Sequence, residues 1–217
     1  MRSTVISLTA SYPKTKPLAD MRVDSRTIPT LAKRGRPATL STAEVVDAAL
    51  ALIDEVGLDS LTMRSLAAAL GVGPMTLYRH VADKRTLLAL IPDVVLAPVC
   101  EDVLRKRSAL TALKTVADGV ARELEHNPSI ARLFNHPELG QNMAAAADHT
   151  VQLLMAEGIS ETEAWIALSA TVAQVIGQKI SDTDDPDGLG IRFLLEGIRL
   201  RLETVSHRKK QPVTVRS

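Results

Sequence analysis

One cysteine, Cys100, stands in a chain of 217 residues, so neither an intrachain disulfide nor a cysteine-rich zinc site can be built from it. A lone thiol fits a reducing cytosol, and its ordinary role is that of a small buried apolar side chain. Aromatics are almost as scarce: Tyr12, Tyr78, Phe134, Trp165 and Phe193 make up 2%. That scarcity, beside abundant Ala and Leu, points away from a β-sandwich and towards helices. Long apolar runs are missing too. The longest charge-free stretch of the second half, Ala164 to Gln178, has 15 residues, against the roughly 20 that a spanning helix needs. Val5, Ile6 and Leu8 are too few for the apolar core of a signal peptide. These absences predict a cytoplasmic protein with no membrane partner, and the length suffices to bury a core without staples.

Excess charge of either sign is also lacking, because the formal net charge is only +1. Spread evenly, that would argue against a nucleic-acid partner. By position the balance is +6 over residues 1–40, −2 over 41–89, −7 over 90–205 and +4 over 206–217. Two basic ends flank an acidic body. Such ends either meet nucleic acid or remain solvated tails. Residues 1–40 mix Ser, Thr, Pro and bases without period and read as a disordered arm. Within it Lys33-Arg34-Gly35-Arg36-Pro37 is a restricted basic stretch whose Lys33, Arg34 and Arg36 could enter a minor groove.

Ser41-Thr42-Ala43-Glu44 has the form of a capping box, and Val45, Val46, Ala49, Leu50, Leu52, Ile53 and Val56 follow at helical spacing up to Gly57. Thr62 can cap a second helix that Gly71 stops. Pro74 suits the first position of a third, very short one, reaching about His80. Asp83 can cap a fourth that begins at Lys84. Two short helices joined by Gly71-Val72-Gly73 outline a helix-turn-helix. Leu66, Ala67, Leu70, Val72 and Leu77 can hold the pair together, leaving Met75, Thr76, Tyr78, Arg79 and His80 free to face a groove or phosphates.

The run from Ser41 to Leu88, with its core Leu61-Thr62-Met63-Arg64 through Leu77-Tyr78-Arg79-His80 to Asp83-Lys84, resembles the DNA-binding domain of the TetR family of bacterial transcription regulators. Beyond those 48 residues the likeness read from sequence is one of architecture. The resemblance implies that Thr62 and Arg64 contact backbone and a base, that Pro74, Met75 and Thr76 meet base edges, and that Tyr78, His80 and Lys84 grip phosphates. Arg79 divides between phosphate contact and a solvated face. The chemistry suits these roles: an arginine can pair bidentately with guanine, and the Met75 and Thr76 methyls suit a thymine methyl. Two features depart from the pattern. Gly73 stands where many members carry a Ser or Thr cap, and Pro92, eight residues into the fourth helix, is expected to kink or end it.

After Pro98, helical stretches are expected at about 99–126, 128–135, 137–157, 161–180 and 189–205. The acidic loop from Ser181 to Gly188 invites a calcium reading, but the EF-hand spacing fails, because Pro186 and Asp187 fall where a ligand and a glycine are needed. No metal or other cofactor is expected. The resemblance makes the last two helices the expected dimer interface, through Leu168, Val172, Val175 and Ile176 on one and Leu194, Ile198 and Leu202 on the next. Ala170, Ala173, Gly177 and Gly197 lie among them and allow close approach; plain intrachain core is the competing assignment. Leu133, Phe134, Met143, His149, Met155, Trp165 and Gln174 are the candidate lining of a pocket for a small hydrophobic effector, and each competes with a core role.

The expected fold is all-α. It comprises a disordered basic arm (1–40), a three-helix helix-turn-helix DNA-binding domain (41–88), a helical effector-binding and dimerisation domain (89–205) and a basic tail (206–217). The expected function is a DNA-binding regulator, a repressor, that binds a palindromic double-stranded operator as a homodimer and is released by its effector. The alternatives are a helical enzyme or an interaction protein that leaves its head unused. With no Gly-rich phosphate loop, nucleophile elbow or HExxH site, no enzyme is predicted.

Overall fold

In the computed structural model, the described residues are 40–135, 139–181, 185 and 188–210, and all the regular structure among them is helical. The arm with Lys33, Arg34 and Arg36, most of the acidic loop, and residues 211–217 lie outside them.

The chain order is α1 (Thr42–Val56), α2 (Met63–Ala69), α3 (Pro74–Tyr78), α4 (Lys84–Val95), α5 (Ala97–Leu104), α6 (Ala109–His126), a 3-10 segment (Pro128–Asn135), α7 (Gln141–Ala156), α8 (Glu161–Ile180) and α9 (Leu189–Lys210). Local chemistry sets the first four. The Ser41 hydroxyl accepts the Glu44 amide while the Glu44 carboxylate accepts the Ser41 amide, closing the capping box. Gly57 ends α1 at φ +82°, where a side chain would be strained. Asp83 caps α4 by accepting the Thr86 amide at 2.7 Å.

One apolar cluster runs without interruption from α1 to the body. Val45, Ala49 and Ile53 of α1, Leu66 of α2 and Leu77 of α3 meet Leu87, Leu88 and Ile91 of α4, and the same cluster takes in Val99 of α5, Leu124 of α6, and Ile130 and Leu133 of the 3-10 segment. Ile91 is fully buried, and burying a side chain of that size is worth roughly 1.5–3 kcal/mol. A second cluster joins Leu113 of α6, Val151 and Leu154 of α7, Leu168 of α8, and Ile198 and Leu202 of α9. Gly119 of α6 allows α5 to cross closely, since a methyl there would overlap Val99.

Several expected boundaries move. α4 continues through Pro92 to Val95, because the Pro92 carbonyl accepts the Leu96 amide at 2.9 Å and Ile91, Pro92 and Asp93 are all buried. The break follows at Leu96, which ends α4 and begins α5. The helix expected over 99–126 is divided between α5 and α6, and tertiary contacts hold the division. His149 Nε2 donates to the Lys106 carbonyl at 2.9 Å, and the Ala109 amide donates to Glu157 at 3.1 Å. The helical stretch expected at 128–135 is present, as a 3-10 helix. α9 reaches Lys210, so the basic tail expected from 206 begins as helix.

Hydrogen bonds to backbone amides hold the carboxyls of Asp83 and Asp185 below their usual values, and a serine backbone bond does the same for Glu44. Glu163 is lowered chiefly by Arg201. The stability from these four is present at neutral pH and is lost as pH falls through the carboxylate range. Asp93 works oppositely: burial raises its pKa, so its contribution is lost as pH rises through it. The four lowered carboxyls predict a melting temperature that falls with pH between about 5 and 3, as followed by circular dichroism.

Candidate nucleic-acid interface

The geometry of α2 and α3 follows from a few local bonds. The Thr62 side chain accepts the Ser65 amide at 3.0 Å, and the Ser65 hydroxyl oxygen accepts the Thr62 amide at 3.0 Å, so α2 starts on a reciprocal cap. Gly71 turns the chain at φ +66°, and the Val72 amide closes back on the Ala67 carbonyl at 3.0 Å. Pro74 opens α3 behind Gly73, which supplies no side-chain cap. Leu66, Ala67 and Leu77 are buried between the two helices, and Leu70 and Val72 pack at the edge.

That packing decides which side chains are left outside. Met75 is 77% exposed and Tyr78 45%. Pro74, Arg79 and His80 are exposed beside them, Thr76 is half-buried, and Thr62 and Arg64 are exposed on α2. The structure therefore brings Arg64, Pro74, Met75, Thr76 and Tyr78 onto two adjoining short helices, with Thr62 capping the first and Arg79 and His80 just past the second, which ends at Tyr78 rather than near His80. Lys84 is partly buried at the start of α4, where its ammonium donates to the Leu58 carbonyl at 3.2 Å and ties α4 to the end of α1.

The seven residues expected around an effector are not gathered about one cavity. Leu133 is buried in the first cluster, with Phe134 and Met143 packed against it. Met155 and Trp165 pack against the second. His149 serves the Lys106 carbonyl, and Gln174 lines an open cleft of about 430 Å³ between α8 and α9 with Gln178, Asp185 and Gly190. A second open cleft, about 450 Å³, lies among Leu110, Glu157, Arg199 and Leu202.

The expected dimer residues need a similar correction. Leu168, Ile198 and Leu202 are buried in the second cluster and Val175 in the first, while Val172, Ile176 and Leu194 are half-buried. α8 and α9 close part of their predicted stripes, Leu168, Val175, Ile198 and Leu202, against their own chain. What they leave outside is another row on each: Ile166, 62% exposed, with Ala173, Gly177 and Ile180, and Phe193, 73% exposed, with Gly197 and Leu200. A second apolar phase in the heptad-like pattern of Ile166, Ala170, Ala173, Gly177 and Ile180 was the sequence signal for it.

Residues 45–91 match the family model described as "Bacterial regulatory proteins, tetR family". The tetracycline repressor protein class G of Vibrio anguillarum is 34% identical over 163 residues, which cover 67% of this chain and 72% of that protein. The chain belongs to the TetR family of bacterial regulatory proteins. Its likeness to TetR-family members is not confined to the 48-residue head, as sequence motifs alone suggested, because a match of that length must continue into the body. The HTH-type transcriptional repressor DrrR1 of Streptomyces coeruleorubidus is 31% identical over 146 residues, and the match spans 66% of this chain but only about half, 54%, of that repressor. Among solved structures, a TetR variant from Acinetobacter baumannii AYE in complex with minocycline superimposes with a TM-score of 0.59 at 28% identity, covering 79% of this chain and 99% of its own.

The reciprocal cap gives Thr62 a structural duty that does not depend on DNA. Thr62→Ala should cost about 1 kcal/mol of stability in urea titrations without DNA.

Proposed function

We infer that this TetR-family chain is a transcriptional repressor that binds a palindromic operator as a homodimer and is released by a small hydrophobic effector. The observation that carries this reading is the outward face of the helix-turn-helix, where Met75 and Tyr78 project from α3, anchored by buried Leu77, Arg79 and His80 are exposed just past its end, and Arg64 is exposed on the helix before it. Arg64 can read a guanine edge, Met75 and Thr76 can meet thymine methyls, and Tyr78, Arg79 and His80 can reach phosphates. Lys84 has three ammonium donors, so it can keep the Leu58 carbonyl and still take a phosphate. Lys33, Arg34 and Arg36 would follow into the minor groove.

α3 has only five residues and reads too little sequence alone, which is the reason for two heads about 34–36 Å apart. The exposed rows containing Ile166 and Phe193 are the surfaces offered to the second copy, and half-buried Val172, Ile176 and Leu194 flank them. On this reading residues 1–40 are an arm, 41–88 the reading head, and 89–210 the effector-binding and dimerisation body, whose last helix carries the first bases of the basic end. The protein works in the cytoplasm, needs no cofactor and is not an enzyme. The names of its relatives, and the minocycline in one of them, make tetracyclines the first effectors to assay.

Fluorescence anisotropy with DNA flanking the protein's own gene tests this. Binding should favour a palindrome and weaken by about 10³-fold or more between 50 and 200 mM salt; equal affinity for scrambled DNA would sink the reading. Arg64→Ala should lose about 1–3 kcal/mol of discrimination at one base pair per half-site. In sedimentation experiments Phe193→Glu should shift the protein from dimer to monomer at micromolar concentration.

A further inference from the structure

Asp93 is the one charged side chain buried among the described residues, at 5% exposure. It sits near the end of α4, yet its side-chain hydrogen bonds go to the start of α7. One carboxylate oxygen accepts the Met143 amide at 2.9 Å and the other accepts Asn142 Nδ2 at 3.1 Å. Met143 is the third residue of α7, the position whose amide an N-cap side chain normally satisfies. The helix's own N-cap residue, Gly140, has no side chain to do so. Gly140 also leaves room for the carboxylate, since a methyl there would overlap it.

We propose that Asp93 is a positioning residue for DNA reading: it supplies the N-cap of α7 from α4, and so locks the helix that carries the head in one register on the body. The proposal rests on the repressor reading above. The other end of α4 is fastened to the head by Lys84 on the Leu58 carbonyl and by the packing of Leu87 and Leu88. Movement at the first turn of α7 therefore either drags Asp93, and α4 with it, or strips a buried carboxylate of its donors, which is costly. Two heads that must meet two half-sites together bind best when their orientation is settled beforehand, because a freely orienting head loses that freedom on binding.

The test uses full-length protein with spin labels on Asp54→Cys in the head and Gln152→Cys in the body, both exposed positions. Cys100 stays unlabelled, because burial pushes its thiol up to about 11. With Asp93 intact the label distance should form one narrow distribution. Asp93→Ala should broaden it at least about twofold and weaken operator binding about tenfold, whereas Asp93→Asn, which keeps an acceptor for Met143, should stay close to wild type in both. Gly140 has φ −66°, so Gly140→Ala suits the backbone but evicts the carboxylate, and it should reproduce the Asp93→Ala result. It also carries the test if Asp93→Ala does not fold. An unchanged distribution in the alanine variants, or a broadened one with unchanged operator affinity, overturns the proposal. A narrow, Asp93-dependent distribution in a protein that binds no operator would instead reject the repressor reading and leave the mechanical coupling standing.

Discussion

Burial along α4 is the constraint on which the other parts depend. Leu87, Leu88 and Ile91 turn into the same apolar cluster as the helix-turn-helix, and that cluster goes on into α5, α6 and the 3-10 segment. Head and body therefore share solvent-excluded surface. Tilting α4 independently of either would open space around side chains that now have none, and cavities in a close-packed core are penalised by their volume. Even Pro92 is absorbed, because packing on both sides of α4 outweighs one missing backbone bond.

Helix termini supply the second set of constraints, and they differ between the two halves. In the head each cap is local: Ser41 with Glu44, Thr62 with Ser65, and Asp83 with Thr86. In the body two helix starts are capped from elsewhere in the chain. Asp93 of α4 caps α7, and Glu157, just past α7, takes the first amide of α6. Local caps persist there too: Ser160 pairs with Glu163 at the start of α8, and Asp185 takes the Leu189 and Gly190 amides at the start of α9. A local cap stabilises one helix, whereas a distant one makes the start of a helix depend on the placement of another.

This contrast explains how much was legible in the sequence. The head was readable almost residue by residue, since capping boxes, Gly71 and the Leu66–Leu77 spacing are local signals, and the exposed set on α2 and α3 follows once Leu77 is placed inside. In the body helix existence was readable, but the break at 105–108 was not, because His149 and Glu157 hold it from more than 40 residues away. Part of the expected dimer stripe, Leu168, Val175, Ile198 and Leu202, is buried within the chain for a related reason. Periodicity shows that a helix has an apolar face without saying whether its own chain or another covers it, and α8 and α9 each have two such faces.

The sequence by itself determined the all-α class, the helix-turn-helix and its outward side chains, and the separation of charge between a basic arm and an acidic body, because these follow from composition and from contacts a few residues apart. Only the tertiary structure decided that Leu168, Ile198 and Leu202 are core, that the seven supposed effector contacts are dispersed, and that Asp93 serves α7. Those outcomes depend on which faces and termini meet across 40 or more residues of chain, and no local pattern encodes that.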